Sequence, residues 1–198
     1  MVRVLAVADE PAQSVRSRVR DLDVDLLLAA GDLPWDYLES LVSLLDVPAA
    51  YVPGNHEPPA SLGRGASPRG MVNVDGRSAV VGGLRIAGLG GCVRYNAGDH
   101  QYTQKQYVRR ARRLVRDAGA VDVLLTHAPP LGLGDEPDPP HVGIAALPDT
   151  INALGPTWHL HGHIHPYGMV KADREIGSTT IRNVIPFSLL DIEPRRSA

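Results

Sequence analysis

Three short apolar runs, residues 2–7, 25–30 and 49–52, are separated by segments with helical periodicity. In the first such segment Val15, Val19 and Leu22 are spaced i, i+4, i+7. In the second, residues 35–46, Leu38, Leu41, Val42 and Leu45 share one helical face. Apolar runs this short and continuous suit strands buried on both faces. Strands that alternate with helices suit a parallel sheet, so the chain opens β-α-β-α-β. Strand signals follow at 72–74, 78–81 and 84–89, with Asp75-Gly76 as a turn. A helix is expected over 103–117, with Tyr107, Val108, Ala111, Leu114 and Val115 as its apolar face. Beyond it we expect a buried strand at 121–125, a short helix at 144–154, and strands at 157–161, 169–171, 179–184 and 187–192. Residues 57–70 and 129–142 are loops by their Gly and Pro content. Residues 1–192 read as one domain and 193–198 as a disordered tail, in keeping with a length of 198.

The chain is 43% hydrophobic and 21% charged, which excludes a disordered class. A formal charge of −2 provides no whole-molecule attraction for nucleic acid or an anionic membrane. Cys92 is the single cysteine, which excludes an internal disulfide and a Cys-rich zinc module. A lone cysteine fits a reducing compartment, and a cytoplasmic location is expected. No apolar run approaches the roughly 20 residues that span a bilayer. The N-terminal run reaches an acid too soon to be a signal peptide.

Polar residues of one kind collect at the ends of the expected strands. Asp9 follows the first, Gly31-Asp32 the second and Gly54-Asn55-His56-Glu57 the third. Thr126-His127 follows 121–125, and Gly162-His163-Ile164-His165 follows 157–161. Ligands bind outside the carboxyl ends of strands in open α/β sheets. Five strands that each deliver an oxygen or imidazole to that edge are hard to explain as packing. The glycines before Asp32, Asn55 and His163 are expected to let the backbone turn sharply.

This series resembles the calcineurin-like metallophosphoesterase superfamily, over residues 9–165. The resemblance implies a four-layer α/β/β/α sandwich of two mixed sheets flanked by helices. It implies hydrolysis of phosphate esters at a centre of two divalent metals. Carried over by position, one metal takes Asp9, Asp32 and His165. The other takes Asp32, Asn55, His127 and His163. Asp32 bridges the two, and His56 sits beside the substrate. Oxygen and imidazole donors suit Mn²⁺ best, with Fe or Zn²⁺ as alternatives. Two close metals can generate a hydroxide near neutral pH and clamp a phosphoryl group. His56 is then placed to assist the leaving oxygen.

The family pattern begins Asp-x-His, whereas this chain reads Asp9-Glu10-Pro11. Proline cannot ligate, so the Asp9 metal has three protein ligands and a weaker site. Adjacent residues leaving a strand point to opposite faces, so water rather than Glu10 is expected to fill the place. The expected substrate is a small phosphorylated or nucleotide-like molecule, a phosphodiester in preference to a monoester. The alternative is a scaffold or binding protein on the same fold. Arg94, which follows a strand, is a candidate for phosphate oxygens. Arg109, Arg110, Arg112, Arg113 and Arg116 read as the solvated face of a helix rather than a nucleic-acid surface. His159 and His161 read as strand residues.

Overall fold

The computed structural model describes residues 1–56, 67–169 and 171–195. The opening alternation is β1 (Val2–Val7), α1 (Gln13–Arg18), β2 (Leu26–Ala29), α2 (Trp35–Leu45) and β3 (Ala49–Tyr51). Next come β4 (Val72–Asn73), β5 (Ser78–Val81), β6 (Leu84–Leu89), β7 (Cys92–Val93) and β8 (Gln101–Tyr102). The chain continues with α3 (Gln104–Ala118), β9 (Val123–Thr126), α4 (Leu147–Leu154) and β10 (Trp158–His161). It ends with β11 (Arg174–Ile176), β12 (Thr179–Asn183) and β13 (Phe187–Ile192). One sheet has the order β13-β1-β2-β3-β4, parallel except for β13. The other has the order β11-β12-β10-β9-β6-β5, with antiparallel strands at both edges.

Side-chain alternation along the strands builds the layers. Val4, Ala6, Leu26 and Leu28 face inward and meet Ile86, Val123, Leu125 and Leu160 of the second sheet. Their neighbours Leu5, Val7, Leu27 and Ala29 face outward and pack on Val15, Leu38 and Leu41 of α1 and α2. On the far side Ala87, Leu89 and Leu124 pack on Tyr107, Leu114, Leu147 and Ile151 of α3 and α4. The result is the expected helix–sheet–sheet–helix sandwich. Each fully buried leucine contributes about 1.5–3 kcal/mol to holding the layers together. Helix α3 begins at a capping box: Gln106 N donates to Thr103 Oγ1, and Thr103 N donates to Gln106 Oε1.

Three expectations change. Of the strand expected at 169–171, the described residues Met169 and Lys171 are not in a strand, and Val170 lies outside the described residues; Met169 N donates to Pro166 O and closes a turn. The strand in that region is β11, paired to β12 through the two-residue loop Gly177-Ser178, with Gly177 at φ +56°. The C-terminal tail is held past residue 193, because Arg195 N donates to the buried Asp122 at 2.7 Å. Arg110 is not on a solvated face: it pairs with Asp75 and lies over the Tyr102 ring at 4.2 Å. Most of the 57–70 loop, including Glu57, and residues 196–198 lie outside the described residues. Among the described residues no helix is long and apolar enough to cross a membrane.

Candidate metal centre

The carboxyl ends of β1, β2 and β3 meet those of β9 and β10 at one edge of the sandwich. The backbone pairing of each sheet runs on past its strand ends there: Asp9 N donates to Gly31 O in the first sheet, and Gly162 N donates to His127 O in the second. Asp9, Asp32 and His163 have φ of 59°, 56° and 69°. Left-handed backbone at a non-glycine residue costs on the order of 1 kcal/mol, and three such residues at one edge mark a site that the fold holds under strain. Of the three glycines expected to permit turning, only Gly31 has a positive φ, +92°. Gly54 and Gly162 are needed for room. A Cβ on Gly54 would overlap Asp32 Oδ1, and one on Gly162 would overlap Asp9 Oδ2.

Asp32, His127 and His163 offer ligand atoms that lie within 4.8 Å of one another. Asn55 completes this half of the site, with Oδ1 3.0 Å from His127 Nε2. His127 is fully buried, and its Nδ1 lies 2.7 Å from Ala30 O. A carbonyl only accepts, so Nδ1 carries hydrogen and Nε2 is left to face the site. There it meets Asn55 Oδ1 and, at 3.3 Å, Asp32 Oδ2. A proton on Nε2 serves these oxygens here; a divalent cation would satisfy the same three lone pairs. One nitrogen and two oxygens are a donor set that fits Mn²⁺, Fe or Zn²⁺. His163 Nε2 donates to Pro140 O at 2.8 Å, which leaves Nδ1 as its free donor atom.

The charges follow from this geometry. Burial opposes the charge on Asp32, but the His127 imidazolium, its hydrogen bond and the His56 amide outweigh burial and bring the carboxyl to about 2. Burial likewise opposes the charge on His127, and Asp32 and Asp9 overcome it, lifting the imidazole to about 9. Burial pushes the Asp9 carboxyl up to about 6, against the attraction of His127. Burial, with the His127 charge added, holds His163 down at about 3, so His163 is a neutral donor.

Asp9 and His165 form the second half. His165 Nε2 is 3.8 Å from Asp9 Oδ1, and the other oxygen of Asp9 accepts from His163 N at 3.0 Å. Glu10 does not point away. Strand β1 ends at Val7 and the chain turns at Asp9, so alternation no longer applies, and Glu10 Oε1 lies 2.9 Å from His165 Nδ1. A carboxylate on one ring nitrogen fixes which nitrogen is free to ligate, the usual support for a metal-binding histidine. Pro11 is exposed and offers no donor. His56 is exposed at the rim, and its amide holds Asp32 Oδ1 at 2.7 Å.

Arg94 is not brought to the cluster by any bond of its side chain; its Nε and Nη2 both donate to Gln101 O and brace its own loop. Its neighbour Tyr95 reaches the site instead. Gln101 Oε1 accepts from Tyr95 N and Asn96 N, and the Tyr95 hydroxyl then accepts from Asn55 Nδ2 at 3.3 Å. That bond turns Asn55 Oδ1 toward His127. No local signal marked Tyr95, which is 40 positions from Asn55. His141 was also missed: its ring lies 5.5 Å from that of His163, and its Nδ1 is 2.7 Å from Asp138 Oδ2. Tyr95→Phe is expected to weaken Mn²⁺ binding about tenfold, since partners that orient ligands are worth that much. Titration with Mn²⁺ checks it, and unchanged affinity would show that Asn55 is oriented without Tyr95.

His159 and His161 are buried on β10. Thr126 Oγ1 donates to Ala128 O and so accepts from His159 Nε2 at 2.8 Å. His159 Nδ1 is then unprotonated and has no partner, and burial holds this imidazole neutral.

The model of the calcineurin-like phosphoesterase family matches residues 7–167. The chain belongs to that family. One similar solved structure is 17% identical with a TM-score of 0.66, covering 92% of this chain and 90% of its own. Another, TT1561 of Thermus thermophilus, is also 17% identical, with a TM-score of 0.61 and coverage of 92% and 88%. Both show the same fold. No curated protein matches the sequence. Membership implies divalent metals and a metal-dependent phosphoesterase, and the donor clusters above are what this chain offers them.

Proposed function

We propose that this protein is a phosphodiesterase with two divalent cations, Mn²⁺ by preference, acting on a small phosphorylated or nucleotide-like substrate. The observation that carries this reading is the convergence of His127 Nε2, Asn55 Oδ1 and Asp32 Oδ2 on one point. Asp9 and His165 beside them supply a second, smaller donor set. When bound, two such cations activate water and neutralise charge on a phosphoryl group. The residues of this chain do the rest. Asp32, fully ionised, holds the centre together. Glu10 fixes the His165 tautomer. His56, exposed at the rim beside Asp32, is placed to hydrogen-bond the departing oxygen. A preference for diesters is supported by a cleft of about 620 Å³ that begins at Glu10 and gives a second substituent on phosphorus somewhere to go.

With Mn²⁺ added, kcat/KM for bis(p-nitrophenyl) phosphate is expected to exceed that for p-nitrophenyl phosphate by about tenfold or more, the worth of a few extra apolar contacts. Monoester turnover without diester turnover would reverse the assignment. Metal binding with no turnover of either ester would favour the scaffold reading, to which Pro11 in place of a ligand is a step.

A further inference from the structure

We infer that the cleft beside His165 binds the alcohol that leaves the substrate, and that this alcohol carries an uncharged planar ring, as a nucleoside carries its base. The inference rests on the phosphodiesterase reading. Glu10 lines this cleft and also bonds His165, so the cleft adjoins the Asp9 half of the metal centre through that carboxylate. Its volume, about 620 Å³, falls in the range of sites for small organic ligands and far exceeds a phosphate.

The walls select the chemistry. Tyr167 is 80% exposed and Met169 70%; among the described residues these are the most exposed large apolar side chains apart from Met1. Both line the cleft. Tyr167 sits at φ 47°, a strained conformation for a tyrosine, and its ring lies 6.0 Å from the His165 ring at an interplanar angle of 36°. A flat apolar face held in the open next to a metal-ligating ring is a stacking platform. The charged residues of the cleft are Glu10, Lys171, Asp173 and Arg182, two of each sign. Each is already paired: Glu10 with His165, Lys171 with Glu136 and Arg182 with Asp173. A balanced and paired lining does not favour a second phosphate, so the occupant is the organic part of the ester. Stacking of a base on an aromatic side chain is worth roughly tenfold to a hundredfold in affinity.

The test is calorimetry on the full chain loaded with Mn²⁺, with AMP, ribose 5-phosphate, inorganic phosphate and pyrophosphate as probes. AMP is expected to bind at least tenfold more tightly than ribose 5-phosphate. Tyr167→Ala should bring AMP to the level of ribose 5-phosphate while phosphate affinity changes less than twofold. Met169→Ala should give a smaller loss in the same direction. Equal affinity for AMP and ribose 5-phosphate, tightest binding of pyrophosphate, or AMP binding that is indifferent to both substitutions would overturn the cleft assignment and leave the phosphodiesterase reading intact. Absence of phosphate binding together with absence of ester hydrolysis would overturn both.

Discussion

Asp32→Asn is expected to lower diester turnover by about three orders of magnitude, because under the proposed two-cation reading the substitution removes the carboxylate that both cations would share. A metal centre contributes several kcal/mol to the transition state, and each 1.36 kcal/mol is tenfold in rate. The amide keeps the size of the carboxylate, so the His56 amide still finds an acceptor. His127 Nε2, 3.3 Å from Asp32 Oδ2 and fully buried, loses its main counter-charge. Breaking a buried pair from one side costs up to about 3–5 kcal/mol, so a lower melting temperature is expected in chelator. Metal content, turnover and melting temperature are measured together. Wild-type metal content in Asp32→Asn would remove Asp32 from the centre.

Gly54→Ala and Gly162→Ala separate the two halves. The new Cβ at position 54 falls on the Asp32 carboxylate, which the His56 amide holds from the other side. The one at position 162 falls on Asp9 Oδ2 and comes within 2.7 Å of the Ala8 Cβ. Overpacking a closed site costs about 1–3 kcal/mol. Gly54→Ala is expected to lose the tighter metal and about a hundredfold or more in activity, as for a catalytic group displaced by about 1 Å. Gly162→Ala is expected to lose the weaker metal and to keep the tighter one. Metal stoichiometry by mass spectrometry distinguishes the two variants. The same loss from both would mean that the halves bind as one unit.

Much of this architecture was legible because local rules suffice for it. Runs such as Leu26–Ala29 admit little but a buried strand, and Leu38 and Leu41 mark the inner face of α2. The strand-end residues were legible for the same reason: once the strands are placed, Asp9, Asp32, Asn55, His127 and His163 all fall at one edge. Met169 departs from the strand expected there because apolar content alone does not distinguish a strand from a turn closed by the Pro166 carbonyl. Glu10 departs from its expected direction because the alternation rule does not hold beyond the end of β1 at Val7.

Sequence alone determined which residues arrive at the edge, since periodicity sets backbone conformation and backbone conformation sets the face. Only the tertiary structure decided which atoms they present. Ala30 O selects Nε2 of His127, Pro140 O selects Nδ1 of His163, and Glu10 selects Nε2 of His165. Tyr95 sets which end of Asn55 looks inward. Gly54 and Gly162 owe their places to carboxylates that reach them from β2 and β1 rather than to their own dihedral angles. Each of these contacts spans many positions in the chain and exists only because strands far apart in sequence are paired within a sheet or packed between sheets, and no pattern within a window of ten or fifteen residues encodes that distance.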